Sequence, residues 1–268
     1  MNMISRTLSS KKTDCSCALI PFIVAGYPSI NLTIELLRLL DSKRVDVIEL
    51  GIPYSDALAD GPVIQNASKI ALSQGVYINE VLNILVQVTC TIKTPIIIFT
   101  YYNPVFSRGV EKFVQEISIS GAKGLIIPDL PIEETDYLIC LCNYYEIELI
   151  LFISPTSSKE RTKKILAQSP GCLYVVSRTG VTGFKHSINS NLKILFKHIK
   201  STANKSLMLG FGISNSHQAS VISKWDIDGI VMGTAFIQLL SNYSNETNFS
   251  ILNKISTFLD EIKLSISK

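Results

Sequence analysis

The stretch Val47-Ile48-Glu49-Leu50-Gly51-Ile52-Pro53-Tyr54-Ser55-Asp56-Ala57-Leu58-Ala59-Asp60-Gly61-Pro62 begins as an apolar strand and ends as a loop rich in acids, glycine and proline. Glu49 lies inside the apolar run, where an ionised carboxylate is costly. Asp60 follows in a loop that can fold back over it. Two carboxylates in such different surroundings are typical of an acid/base pair with separate pKa values. They also fit a buried glutamate held by a backbone donor and an aspartate that caps a helix.

Apolar, strand-like runs alternate with amphipathic runs along the chain on both sides of this stretch. The predicted strands are Leu19–Ala25, Val45–Gly51, Pro95–Thr100, Gly124–Pro128, Glu148–Ile153, Leu173–Ser177, Ser206–Phe211 and Gly229–Met232. The predicted helices span 30–42, 63–73, 78–90, 110–119, 132–145, 158–168, 189–200, 215–223, 234–241 and 248–264.

Strands that alternate with helices form parallel β-α-β units. Eight such strands in a chain of 268 residues predict an α/β fold, a (β/α)8 TIM barrel with extra helices. An open, doubly wound sheet is the alternative, but that fold normally carries a glycine-rich dinucleotide fingerprint after its first strand. Here Gly26-Tyr27-Pro28 follows instead.

Composition favours one large domain over residues 1–268, in which residues 1–14 form a polar extension. The chain is 47% hydrophobic and 18% charged, which is enough for a large core, and no linker divides it. A net charge of +3 with scattered basic residues argues against nucleic acid as a partner. The apolar runs are short and interrupted by charges, so we expect no membrane span.

The N-terminus has no apolar core of a signal peptide and no evident transit peptide, so cytoplasm and plastid stroma both remain open. Lysines far outnumber arginines, as is common where the genome is AT-rich. The six cysteines include two pairs with one intervening residue, which is not the spacing of common zinc sites. We therefore expect buried free thiols and no metal site.

In barrels of this class the chemistry lies at the carboxyl ends of the strands. The polar and glycine-rich residues of this chain follow those ends repeatedly: Glu49, Tyr101, Asn103, Asp129, Arg178–Gly183, Gly210–Ser214, Gly233 and Thr234.

Glycine-bearing loops follow three consecutive strands, at Gly183, Gly212 and Gly233. Glycine lets the backbone approach a ligand closely, and free N–H groups at a helix start bind anions. These barrels often hold phosphate between the last loops. The pattern predicts a phosphate site, although the same glycines could simply form tight strand–helix turns.

Apolar side chains at the strand ends could line one mouth suited to a flat aromatic ligand. They could equally be ordinary barrel packing. These residues are Phe22, Phe99, Tyr101, Ile126, Ile153, Tyr174 and Phe211.

The opening stretch, extended through Gln65-Asn66-Ala67, resembles the signature of the tryptophan synthase alpha chain family. Three positions depart from the family pattern. Ala57 replaces a usual proline in the loop, Pro128 stands where alanine is familiar, and Thr179 stands where alanine is common. The departure at Ala57 bears on the stiffness of the loop.

The resemblance implies a lyase that cleaves indole-3-glycerol phosphate by a retro-aldol reaction, giving indole and glyceraldehyde 3-phosphate. Glu49 would act as proton donor and then base, and Asp60 would hold the indole N–H. Thr182 would position Asp60 when the loop closes. The apolar residues above would enclose the indole ring, and Gly183, Gly212, Gly233 and Thr234 would bind the phosphate.

The resemblance also implies a partner, a tryptophan synthase beta chain, in an alpha2-beta2 heterotetramer to which indole is passed directly. Pyridoxal phosphate would belong to the beta chain, with no cofactor in this chain. Pro53, Asp56 and Asn103 would lie at the docking surface. Two rival hypotheses are a sugar-phosphate isomerase or epimerase, and a non-catalytic barrel that only activates a partner.

Overall fold

Apolar runs of β-branched and aromatic residues form a continuous parallel sheet in a computed structural model of the chain, which describes residues 2–13, 16–176, 186–203, 205–210, 212–241 and 246–267. Nine strands lie within these ranges: β1 Ala18–Val24, β2 Ile48–Gly51, β3 Ile96–Phe99, β4 Gly124–Ile126, β5 Glu148–Leu149, β6 Leu151–Ile153, β7 Leu173–Val176, β8 Leu207–Gly210 and β9 Gly229–Met232.

The sheet closes on itself. Its order is β5-β4-β3-β2-β1-β9-β8-β7-β6, and every pairing is parallel. Only Ile150 separates β5 from β6, so the two ends of the sheet are halves of the single strand predicted at Glu148–Ile153. The N–H of Ile150 still donates to the carbonyl of Leu125 on β4. The predicted (β/α)8 barrel is therefore confirmed.

Helices surround this barrel, and the ten predicted segments are all helical in the structure. The helices are α1 Met3–Thr13, α2 Ile30–Ser42, α3 Pro62–Ser73, α4 Ile78–Thr89, α5 Tyr102–Arg108, α6 Val110–Ile119, α7 Thr135–Tyr144, α8 Lys159–Gln168, α9 His186–Ala203, α10 Ser216–Ser223, α11 Thr234–Leu240 and α12 Asn248–Ile266, with a 3-10 turn at Ile132–Glu134 before α7. No helix in the described ranges is both long and apolar enough to cross a membrane.

The segment expected to be a polar extension is the helix α1, which covers the amino-terminal mouth of the barrel. Ile4 and Leu8 are fully buried beside Gly124 and Gly229, the first residues of β4 and β9. The buried carboxylate of Glu148 accepts the N–H of Ser5 at 3.0 Å and the N–H of Cys172 at 2.9 Å. It also accepts the Ser5 hydroxyl. With this end filled, the loops at the carboxyl ends remain for chemistry.

The sequence pattern also failed to predict α5, which follows β3 directly. Pro104 lies in the first turn of α5, where proline is tolerated because no hydrogen bond is lost. Gly109, at φ 91°, ends α5 and separates it from α6. From this short helix the side-chain amide of Asn103 donates to the hydroxyl of Tyr54, in the loop between β2 and α3, at 3.2 Å.

Candidate active site

Glu49 lies in the middle of the barrel wall, on β2. Its neighbours in register are Phe22 on β1 and Ile97 on β3. The side chain is buried, and its Oε2 has no hydrogen-bond partner among the described residues. Burial, reinforced by the charge of Asp60, raises the pKa of Glu49 to about 8. At neutral pH this carboxyl is therefore mostly protonated.

Asp60 ends the loop that connects β2 to α3. Its Oδ2 accepts a hydrogen bond of 2.9 Å from the Tyr101 hydroxyl. Burial raises the pKa of Asp60 to about 6, and the Tyr101 hydrogen bond opposes that rise. The loop is thus less polar around this carboxyl than the sequence suggested, but Asp60 is still mostly ionised at neutral pH.

Two further contacts hold this loop, and neither was expected from the sequence. The N–H of Ala59 donates to the Tyr101 hydroxyl at 3.1 Å. The side-chain amide of Gln65, on α3, donates to the carbonyls of Ala57 and Asp60, each at 3.0 Å. Because Ala57 takes part only through its backbone, the departure from proline leaves this contact intact. Gln65 belonged to the recognised motif, but a motif alone does not reveal whether a side chain contacts substrate or braces a loop.

The aromatic residues predicted at the strand ends lie together beside the two carboxyls. Phe22 and Phe99 make an edge-to-face contact with ring centroids 5.5 Å apart, and Phe99 meets Tyr101 at 6.0 Å. Burial raises the pKa of Tyr174 well above its usual value, and the charges of Glu49 and Asp60 raise it further. These charge interactions indicate that the Tyr174 phenol lies near both carboxyls.

The remaining predicted wall residues divide between described and undescribed parts of the chain. Ile126 and Ile153 are buried at the ends of β4 and β6. Phe211 lies outside the described residues. Gly210 contributes in an unexpected way, since a side chain there would collide with the ring and hydroxyl of Tyr174. Glycine at this position therefore leaves the space that Tyr174 occupies.

The predicted phosphate-binding residues are only partly described. Gly212 is exposed, and among the described residues no atom other than those of its chain neighbours lies within 4 Å of where a Cβ would be. Gly233 packs against the Phe22 ring, where a Cβ would lie 2.9 Å from Cδ1, and Thr234 begins α11. Thr182 and Gly183 lie outside the described residues.

The cysteines correct one expectation. Cys142 and Cys172 are buried free thiols and Cys17 is also buried, but Cys90 and Cys140 are exposed. Cys15 lies outside the described residues. In the described ranges, no group of three histidine, cysteine or acidic side chains is placed to hold a metal ion.

Comparison with known proteins gives one consistent family. A family model described as tryptophan synthase alpha chain matches residues 8–266. The chain is 55% identical over 266 residues to the tryptophan synthase alpha chain of Gracilaria tenuistipitata var. liui, covering 99% of this chain and 97% of that one. It is 43% identical to that of Synechocystis sp. over the full length of both.

A solved structure is also closely similar. Tryptophan synthase subunit alpha from Legionella pneumophila str. Paris superposes with a TM-score of 0.89 at 34% identity, covering 99% of this chain and 98% of that chain. The chain therefore belongs to the tryptophan synthase alpha chain family, the lyase subunits that carry out the alpha-subunit step of tryptophan biosynthesis.

Proposed function

We propose that Glu49 and Asp60 are the catalytic pair with which this chain cleaves indole-3-glycerol phosphate to indole and glyceraldehyde 3-phosphate. The observation that carries this assignment is the buried carboxyl of Glu49, with one oxygen unpartnered among the described residues and the charge of Asp60 acting on it. A buried acid without a structural partner reduces stability, which is typical of a residue kept for function.

The two pKa values fit a division of roles between the carboxyls, with Glu49 as the acid and Asp60 as the anion. Protonated Glu49 donates its proton to C3 of the indole, and the ring becomes an electron sink with positive charge near its nitrogen. Ionised Asp60 accepts the indole N–H and stabilises that charge. The Glu49 carboxylate then removes the proton of the glycerol hydroxyl as the C–C bond breaks, which releases the aldehyde and restores the acid.

The aromatic wall would enclose the indole. Phe22, Phe99 and Tyr174 supply rings for edge and face contacts, and Tyr101, Ile126, Ile153 and Phe211 complete the set. Thr182 would position Asp60 when its loop closes.

The phosphate would bind to the backbone of Gly183, Gly212 and Gly233 and to Thr234. The exposure of Gly212, with no described residue beyond its chain neighbours near its Cβ position, supports this proposal. Gly212→Val should place a side chain there without displacing a side chain of those described residues. We expect it to raise the KM for indole-3-glycerol phosphate while indole, which lacks the phosphate, binds as before. Equal weakening for both ligands would contradict a phosphate site at Gly212.

Family membership implies a beta-chain partner. We propose an alpha2-beta2 assembly in which the beta chain carries the pyridoxal phosphate and this chain carries no cofactor. Asp56 and Asn103 are exposed at the expected docking surface, whereas Pro53 is buried. Leu58 and Phe106, which are 90% and 66% exposed, add apolar surface there. Leu58→Asp should weaken co-elution with a beta chain, and unchanged co-elution would place the interface elsewhere.

A plastid stroma location is our proposal for the compartment. Its support is the similarity to the chains of the red algae Gracilaria tenuistipitata var. liui and Pyropia yezoensis, at 55% and 50% identity. Fractionation of the source cells with antibody detection would test it, and recovery in the cytoplasm would contradict it.

The experiment that tests the activity is release of indole from indole-3-glycerol phosphate, by the purified chain alone and with a beta chain. We expect slow release that rises strongly with the partner. Release in neither condition would contradict the substrate, and a panel of sugar phosphates would then test the isomerase alternative. Partner activation without any cleavage by this chain would support the non-catalytic alternative.

A further inference from the structure

The Tyr101 hydroxyl lies between two atoms of the loop that carries Asp60. It accepts the N–H of Ala59 at 3.1 Å and lies 2.9 Å from Oδ2 of Asp60. Because an ionised carboxylate can only accept, the hydroxyl hydrogen must point to Asp60. The direction of both hydrogen bonds is therefore fixed by the partners.

The ring of Tyr101 is itself held in place. The residue is 2% exposed, with its centroid 5.3 Å from that of Tyr54 and 6.0 Å from that of Phe99. A buried phenol with packed neighbours and two hydrogen bonds has little freedom to rotate. It can therefore hold Asp60 in a fixed position relative to the barrel.

We propose that Tyr101 is a positioning residue, whose hydroxyl fixes the Asp60 carboxylate in the orientation that receives the indole N–H, while Gln65 fixes the backbone of the same loop. The orientation toward indole rests on the proposed function. Tyr101 therefore does more than line the apolar wall, which was its predicted role.

The groups around Asp60 show why its ionisation depends on the Tyr101 hydrogen bond. Glu49 approaches from β2 and Tyr174 from β7, while Asp129 acts on the Tyr101 phenol from the loop after β4. In the described part of the chain these groups are acids or phenols, and the Tyr101 hydrogen bond opposes the effect of burial on the pKa of Asp60. Without it, Asp60 would ionise less readily.

The test is the pKa of Asp60 in Tyr101→Phe, which keeps the ring and removes the hydroxyl. Carbon-13 NMR of carboxyl-labelled aspartate in the full chain should show the Asp60 titration moving above the value of about 6. With a beta chain present, kcat/KM should fall roughly 10- to 100-fold, and the acid limb of its pH profile should move upward. Tyr102→Phe removes the neighbouring hydroxyl, which is not bonded to Asp60, and should change neither readout.

A second variant should lower the pKa of Asp60. Incorporation of 3-fluorotyrosine at position 101 makes the phenol a stronger donor, so the pKa of Asp60 should fall. An Asp60 titration that is unchanged in both variants would overturn the positioning role, whatever happens to activity. Because NMR needs no turnover, this result can be distinguished from failure of the wild-type chain to cleave indole-3-glycerol phosphate.

Discussion

The Asp60 carboxyl lies near enough to the buried Glu49 for its charge to raise the pKa of Glu49. Burial is the larger cause of the rise for Glu49, and burial also raises the pKa of Asp60. The result is one acid that is protonated and one that is ionised near neutral pH. That division matches the two roles that the retro-aldol reaction requires.

The pH dependence of kcat/KM should be bell-shaped. Activity should rise as Asp60 ionises near pH 6 and fall as Glu49 loses its proton near pH 8, since kcat/KM reports the groups of the free enzyme. Steady-state indole release between pH 5 and pH 9 with a beta chain present measures this profile. The control is Glu261→Gln, an exposed residue on α12, which should retain both limbs. A profile that is flat across this range would contradict the assigned pair.

Glu49→Gln should stabilise the fold at alkaline pH while it abolishes cleavage. The pKa of Glu49 is raised from 4.5 to about 8, so between these values the native state keeps a proton that the unfolded state has lost. The free energy of unfolding therefore falls as pH rises through this window, by up to ~5 kcal/mol above pH 8. Glutamine at position 49 cannot ionise, so the free energy of unfolding of the variant does not fall in this way.

Urea unfolding of wild type and Glu49→Gln at pH 4 and pH 9 measures the difference. We expect nearly equal stabilities at pH 4 and a more stable variant at pH 9, whereas Glu261→Gln should show no such pH-dependent gain. A variant that is destabilised equally at both pH values would show that Glu49 contributes packing or hydrogen bonds rather than a buried proton.

Asp60→Asn should lower the pKa of Glu49. The substitution removes the charge that raises this pKa, but burial remains, so the value should fall below 8 and stay above 4.5. Infrared spectroscopy of the protonated carboxyl stretch of Glu49, assigned by its loss in Glu49→Gln, follows the titration. An unchanged midpoint would mean that the two carboxyls are too far apart to interact.

Helix α1 should contribute measurably to stability. Ile4→Ala and Leu8→Ala each remove a fully buried side chain and should lower the free energy of unfolding by ~2–4 kcal/mol. Arg6→Ala, on the exposed side of the same helix, is the control and should change it by less than about 0.5 kcal/mol. Denaturant midpoints at one pH compare the three variants. Equal midpoints would mean that α1 is not part of the cooperative fold.

The sequence predicted the barrel because its buried strands are apolar runs separated by amphipathic helices. It did not predict α1, where Ile4 and Leu8 are the fully buried side chains among residues 3–11, within a serine- and lysine-rich segment. Two buried apolar side chains are too few to reveal a helical period. Their burial depends on small residues such as Gly124 and Gly229 far along the chain, and local pattern cannot show that.

The candidate site was likewise predicted only where neighbouring residues determine the feature. The placement of Glu49 inside an apolar run predicted a perturbed acid, since burial follows directly from the neighbouring residues. The hydrogen bond from Tyr101 to Asp60 could not be predicted, because it joins the residue before α5 to the loop before α3, which are far apart in the sequence. The roles of the individual site residues remain predictions that the variants above would test.

The most direct measurement is the rate of indole formation from indole-3-glycerol phosphate by wild type and Glu49→Gln, each with a saturating beta chain at pH 7. We expect rapid formation by wild type and a rate at least ~100-fold lower in the variant, while the variant still folds and binds the beta chain. A folded Glu49→Gln that forms indole at the wild-type rate would contradict the catalytic role proposed for Glu49.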